Sequence, residues 1–153
     1  MIVTKEFLKR KTACKEGVKW YLKQKTTDAK TLFDRAIKDE KLGYIDWCLV
    51  KKMTKKQRIM YAIFSAEQVI DIFEREYPND NRPRLAIEAA KAYLQNPCKV
   101  TESAASAAYA AASAAYIYSA YAASAAASAA YGYTGNYIII LTYGYKLLTS
   151  EVI

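Results

Sequence analysis

Between Ser103 and Ala130 the chain is built almost wholly from three residue types: seventeen Ala, six Ser and four Tyr, with Ile117 completing the run. No charged residue occurs between Glu102 and Lys146. Ala loses no side-chain entropy in a helix and buries no polar group, so the run predicts one long helix over about residues 101–131. On a helical wheel Ser106, Tyr109, Ser113, Tyr116, Ser124, Ser128 and Tyr131 share one arc, and the opposite arc is almost pure Ala. An Ala face lets helix axes approach near the lower end of the roughly 8–10 Å range. The Tyr/Ser face has two readings. It can turn outward, or toward another layer, on a packed core helix. It can also be a contact surface, with Tyr109 and Tyr116 supplying rigid area with a polar tip.

The rest of the chain carries helical spacing. Glu6–Gln24 shows apolar positions at mixed three- and four-residue steps, which predicts one or two helical pieces with Thr12 as a candidate N-cap. Asp28 or Thr27 caps a short helix bearing Leu32, Phe33, Ala36 and Ile37, and Leu42–Met53 forms another. Thr54 caps a longer helix reaching Tyr77, with Ile59, Met60, Ile63, Phe64, Val69, Ile70 and Phe73 as its apolar stripe. Pro83 falls in the first turn of a helix running to about Gln95. Gly132 and Gly135-Asn136 are expected to break the Ala run. Tyr137–Leu148 has helical spacing but also three consecutive Ile; a lone strand would lack a partner, so a helix over about 137–149 is expected. The expectation is a single all-α domain over 1–153, a compact bundle of five to seven helices.

Charge is unevenly placed. The net charge is +8, with 17 Lys/Arg against seven Asp/Glu in residues 1–60 and six against eight thereafter. The basic half can attract nucleic acid or an acidic protein, although Lys dominates it and bidentate phosphate readout favours Arg. Lys51, Lys52, Lys55, Lys56 and Arg58 cluster at a predicted helix junction, and Arg82 and Arg84 flank Pro83 beside Asp80. Both groups are candidate partner contacts. For the second, the structural reading is capping by Asp80 or Asn81, with an Arg paired to a carboxylate such as Glu88. Three widely spaced cysteines, Cys14, Cys48 and Cys98, argue against a disulfide framework and read as small buried residues in a reducing cytosol. Met1–Lys11 has no apolar core of signal-peptide length, and the uncharged stretch lacks the Leu/Ile/Val/Phe content of a spanning helix. A cytoplasmic location without membrane contact is expected.

The chain contains no His. That removes the commonest general base, the Ser–His and Cys–His nucleophile pairs and imidazole metal ligands. Gly132-Tyr-Thr-Gly135 lacks the Lys and the setting of a phosphate loop, and no paired-Cys zinc spacing exists. No catalytic residue, cofactor or metal site is expected; the chain reads as a binding protein.

Three segments occur in order: Thr12-Ala-Cys-Lys-Glu-Gly17 followed by Trp20-Tyr-Leu; Asp80-Asn-Arg-Pro-Arg-Leu-Ala-Ile-Glu88 with Ala89-Ala-Lys-Ala-Tyr93; and the Ala/Tyr run. Together, over roughly residues 12–131, they resemble a family of small Ala-rich helical immunity proteins found in bacteria and in phage genomes. The resemblance implies neutralisation of a toxin by direct binding, without enzymatic activity or cofactor. This chain is basic, whereas many immunity proteins are acidic and match basic nuclease toxins. On a phage genome, such a protein could instead inhibit a host defence complex such as a CRISPR effector. The expected partner is therefore a protein or ribonucleoprotein, with acidic character favoured. The alternative is a nucleic-acid binder using the Lys-rich N-terminal half. A Tyr-rich face left exposed would also support a two-fold dimer.

Overall fold

The computed structural model describes residues 1–97 and 131–149. The predicted Ala-rich helix, with Tyr109 and Tyr116, lies outside the described residues apart from Tyr131. Eight helices are described: α1 Lys5–Arg10, α2 Lys15–Gln24, α3 Ala29–Lys38, α4 Leu42–Lys52, α5 Lys55–Glu67, α6 Ile70–Glu76, α7 Arg82–Gln95 and α8 Tyr131–Thr149. Among the described residues the only strand-like pairing is an isolated antiparallel bridge between Ile2 and Asp28. The all-α expectation holds, with eight helices among the described residues where five to seven were expected. The described residues fall into two compact units, one of residues 1–53 with the C-terminal stretch from Leu141, the other of residues 54–140.

In the first unit, helix starts follow from side chains that satisfy orphan backbone donors. Thr4 Oγ1 accepts from Phe7 N–H at 3.1 Å, and Asp28 Oδ2 accepts from Thr31 N–H at 2.8 Å. Helix α2 is capped by Cys14, whose Sγ accepts from Gly17 N–H at 3.3 Å, and not by Thr12. Thr12 instead sits in the left-handed region at φ 58°, which ends α1 and leaves Cys14 next to the new helix. Cys14 is accordingly exposed and was not the buried residue its type suggested. The core gathers Val3, Phe7, Leu8, Tyr21, Ala29 and Leu32, with Trp20, Trp47, Cys48 and Tyr145 packed on it. Tyr21 buries its ring and donates its hydroxyl to Val3 C=O at 2.9 Å. Phe33 and Tyr145 meet at a tilt of 55°, 5.3 Å between ring centroids. A cavity of about 340 Å³ opens among these side chains, bordered by Leu8, Trp20, Phe33, Trp47, Leu49 and Tyr145 among others.

In the second unit, Thr54 opens α5 with a full capping box: its side chain accepts from Gln57 N–H at 3.2 Å, and Gln57 Oε1 accepts from Thr54 N–H at 3.0 Å. The single helix expected from Thr54 to Tyr77 divides at Gln68 and Val69. Val69 leaves helical geometry at φ −126°, beside a second β-branched residue, Ile70, which turns into the core at 6% exposure. That core is Ile63, Ile70, Ile87 and Ala90, flanked by Ile59, Ala66, Ala86 and Leu94. An ion pair, Lys91 Nζ to Glu67 Oε1 at 2.6 Å, joins α5 to α7 beside it.

Helix α8, described from Tyr131, runs through Gly132 and Gly135, where a break was expected, and it includes the ambiguous Tyr137–Leu148. A glycine inside a helix costs about 1 kcal/mol relative to Ala. The burial of Ile140, Leu141 and Leu147 further along α8 offsets that loss.

Candidate partner-binding surfaces

The first surface is a groove lined by α1 and α2. Lys5 and Lys9 stand four residues apart on α1, and Lys15, Lys19 and Lys23 stand four apart on α2, so each set forms one row along its helix. The apolar lining between them is Ala13, Val18 and Leu22, and Leu22 is half exposed at 49%. None of these five lysines takes part in an ion pair among the described residues. Beyond the Lys51–Arg58 cluster, the sequence marked this half only by its net charge. A further signal was the four-residue spacing, repeated on two helices joined through the left-handed backbone of Thr12.

The predicted basic cluster divides at the end of α4. Lys51 is exposed in the last turn of α4. Lys52 lays its ammonium over the Phe7 ring, 4.3 Å from the centroid, so it also covers core. On α5, Lys55 lies 5.2 Å from the Tyr93 ring centroid, and Lys56 and Arg58 are exposed.

Arg82 and Arg84 serve the turn before α7. Arg82 holds Asp80 with two side-chain hydrogen bonds, Nε to Oδ1 at 2.8 Å and Nη2 to Oδ2 at 2.6 Å, while Asp80 Oδ1 accepts from Arg82 N–H. The Arg82 guanidinium holds the Asp80 carboxyl down at about 2. Arg84 grips Glu74 across the turn through Nε and Nη2, at 2.5 and 2.6 Å, and approaches Asp71 at 3.8 Å. Its main carboxylate partner is therefore Glu74 of α6, not Glu88, and the Glu74 pKa is lowered as a result. Asp80 supplies the start of α7, while Asn81 makes no side-chain cap. The arrangement ties the Asn-Arg-Pro-Arg segment into an ion-paired corner that still exposes the Arg82 side chain, which is 84% accessible.

Burial pushes the Cys48 thiol up to about 11, which leaves it a poor nucleophile at neutral pH. No three Cys, Asp or Glu side chains among the described residues converge as a metal-binding group. No helix among the described residues is long and apolar enough to cross a membrane.

Fold and surfaces define a small all-α protein with a lysine-lined groove and an ion-paired Arg corner. The chain belongs to the family described as Imm-5 like putative immunity protein, whose model matches residues 48–137. The match contains the Asp80–Glu88 motif, and it begins after the Thr12–Gly17 and Trp20–Leu22 segments that also carried the resemblance. No curated protein and no solved structure matches the chain.

Proposed function

We propose that the protein is a non-enzymatic inhibitor that neutralises a protein target stoichiometrically by direct binding. The observation that carries this is the family match over residues 48–137, which includes the ion-paired Arg82–Arg84 corner. An immunity protein acts by occupying its toxin, and exposed arginines and lysines suit occupation of an acidic face. Lys51, Lys52, Lys55, Lys56, Arg58, Arg82, Arg84, Tyr109 and Tyr116 are the proposed contact residues. A basic chain of this kind also suits the phage counter-defence form of the activity, an anti-CRISPR-like inhibitor acting on a ribonucleoprotein in the cytoplasm.

The test is to use the purified protein as bait in lysate of its natural host at low and high salt, with nuclease treatment as control. A stoichiometric protein partner that survives nuclease and moderate salt supports the reading. Trace protein inactivating excess target would overturn it, because a stoichiometric inhibitor cannot turn over. The second reading, nucleic-acid binding, is favoured by the unpaired lysines of α1 and α2. It expects recovery of nucleic acid alone, with affinity falling steeply as salt rises.

A further inference from the structure

We infer that the α1–α2 groove is a docking site for an acidic amphipathic helix of a partner protein, one that presents an apolar side chain between carboxylates. The inference rests on the protein-binding reading above and names the chemistry of its partner.

Lysines four residues apart on a helix are about 6 Å apart along its axis. Carboxylates four residues apart on a partner helix repeat at the same interval, so Lys15, Lys19 and Lys23 can meet three of them in register. Lys5 and Lys9 offer a second row from the neighbouring helix. Between Met1 and Lys25 the chain has eight Lys/Arg and only two acidic residues, Glu6 and Glu16. Glu6 lies at the start of α1, where the backbone N–H, and then the Thr4 hydroxyl, hold its charge. The groove therefore keeps a strong positive field.

The apolar lining selects the kind of polyanion. Lysine stems lie along apolar surface while their ammonium heads reach solvent, so a groove of this type has an oily floor and charged rims. Leu22 is exposed in that floor without a described hydrophobic partner covering it, and Val18 lies one turn before it. Single-stranded nucleic acid would need aromatic platforms for its bases, and this lining holds no aromatic ring. Phosphate recognition would gain from forked arginines, and all five cations here are lysines. A carboxylate-flanked leucine satisfies both floor and rims.

The test uses the full chain and three probes measured by fluorescence anisotropy. They are a short helical peptide with Glu every fourth residue beside a Leu stripe, the same peptide with Leu replaced by Ser, and a duplex oligonucleotide. The Glu/Leu peptide is expected to bind tightest. Combined Lys15→Glu, Lys19→Glu and Lys23→Glu should weaken it about tenfold or more, and Leu22→Ser about threefold. These positions are exposed, so circular dichroism should match the parent; Lys→Gln replacements serve if charge reversal lowers helix content. Equal binding of the Ser peptide, no effect of Leu22→Ser, tighter binding of the duplex, or no binding of any probe would overturn the inference. The two readings separate in the lysate experiment. If the triple variant still captures and neutralises the target, the groove assignment falls and the inhibitor reading stands. If the parent neutralises nothing yet binds the peptide, the reverse holds.

Discussion

Leu49 is 2% exposed on α4 and borders the cavity of the first unit, so its truncation tests both the burial and the void. Leu49→Ala removes about three methylene equivalents, a transfer loss of about 2.4 kcal/mol. The side chain already faces a space of about 340 Å³, so neighbours cannot close over the new void without widening the old one. At ~24 cal/mol per Å³ of residual cavity, an enlargement of about 40 Å³ adds about 1 kcal/mol. The expected destabilisation is about 3–4 kcal/mol. In urea, with a slope of about 2 kcal/mol/M, the midpoint should fall by about 1.5–2 M. The assay is urea unfolding followed by far-ultraviolet circular dichroism, with Leu85→Ala as comparator. Leu85 is 54% exposed on α7, and its loss should change stability by less than about 0.5 kcal/mol. If Leu49→Ala moved the midpoint no more than Leu85→Ala does, α4 would not be seated as described and the cavity argument would fail with it.

Thr54→Ala removes the hydroxyl arm of the capping box, leaves the backbone N–H arm to Gln57, and should cost about 1 kcal/mol by urea titration, whereas Thr54→Ser should restore most of it. Asp80 and Glu74 titrate below their ordinary values of 3.8 and 4.5 because Arg82 and Arg84 hold their charged forms. Their stabilisation is therefore full above about pH 4.5 and is lost as pH falls, for Asp80 on approach to about 2. Arg82→Ala and Arg84→Ala should each flatten the fall of the urea midpoint across that window. With Cys98 replaced by Ser, a thiol reagent at mildly alkaline pH should modify exposed Cys14 rapidly. Cys48, with its thiol pushed up to about 11, should react only as fast as the first unit opens.

Much of the helical architecture was legible because it is local. Thr54 and Asp28 cap where their side chains demand it, and Pro83 marks the first turn of α7 because its missing N–H costs nothing there. What escaped was non-local or unusual in chemistry. Few cysteines cap helices, so Thr12 looked the better choice until its left-handed backbone placed Cys14 at the start of α2. The break at Val69 interrupts no apolar stripe, and only the turn of Ile70 into its core shows why the helix divides there. Arg84 reaches Glu74 ten residues back, across a turn whose course spacing alone does not give, while Glu88 lay at the familiar four-residue interval. The groove lysines lie on two separate helices, so a count of charge along the chain registered their sum and missed their alignment.

Both tryptophans of the chain, Trp20 and Trp47, belong to the first unit; Trp20 donates its indole N–H to Asp39 at 2.8 Å, and Trp47 meets Phe7 edge-on. Light absorbed at the red edge of the aromatic band is therefore emitted from that unit alone, while residues 54–140 contribute only the weaker signals of Tyr and Phe. The molecule thus carries an intrinsic optical label on the half that holds the lysine groove. Tryptophan emission recorded alongside total helicity follows that half separately, in any denaturant or with any bound peptide, without a dye or an added residue.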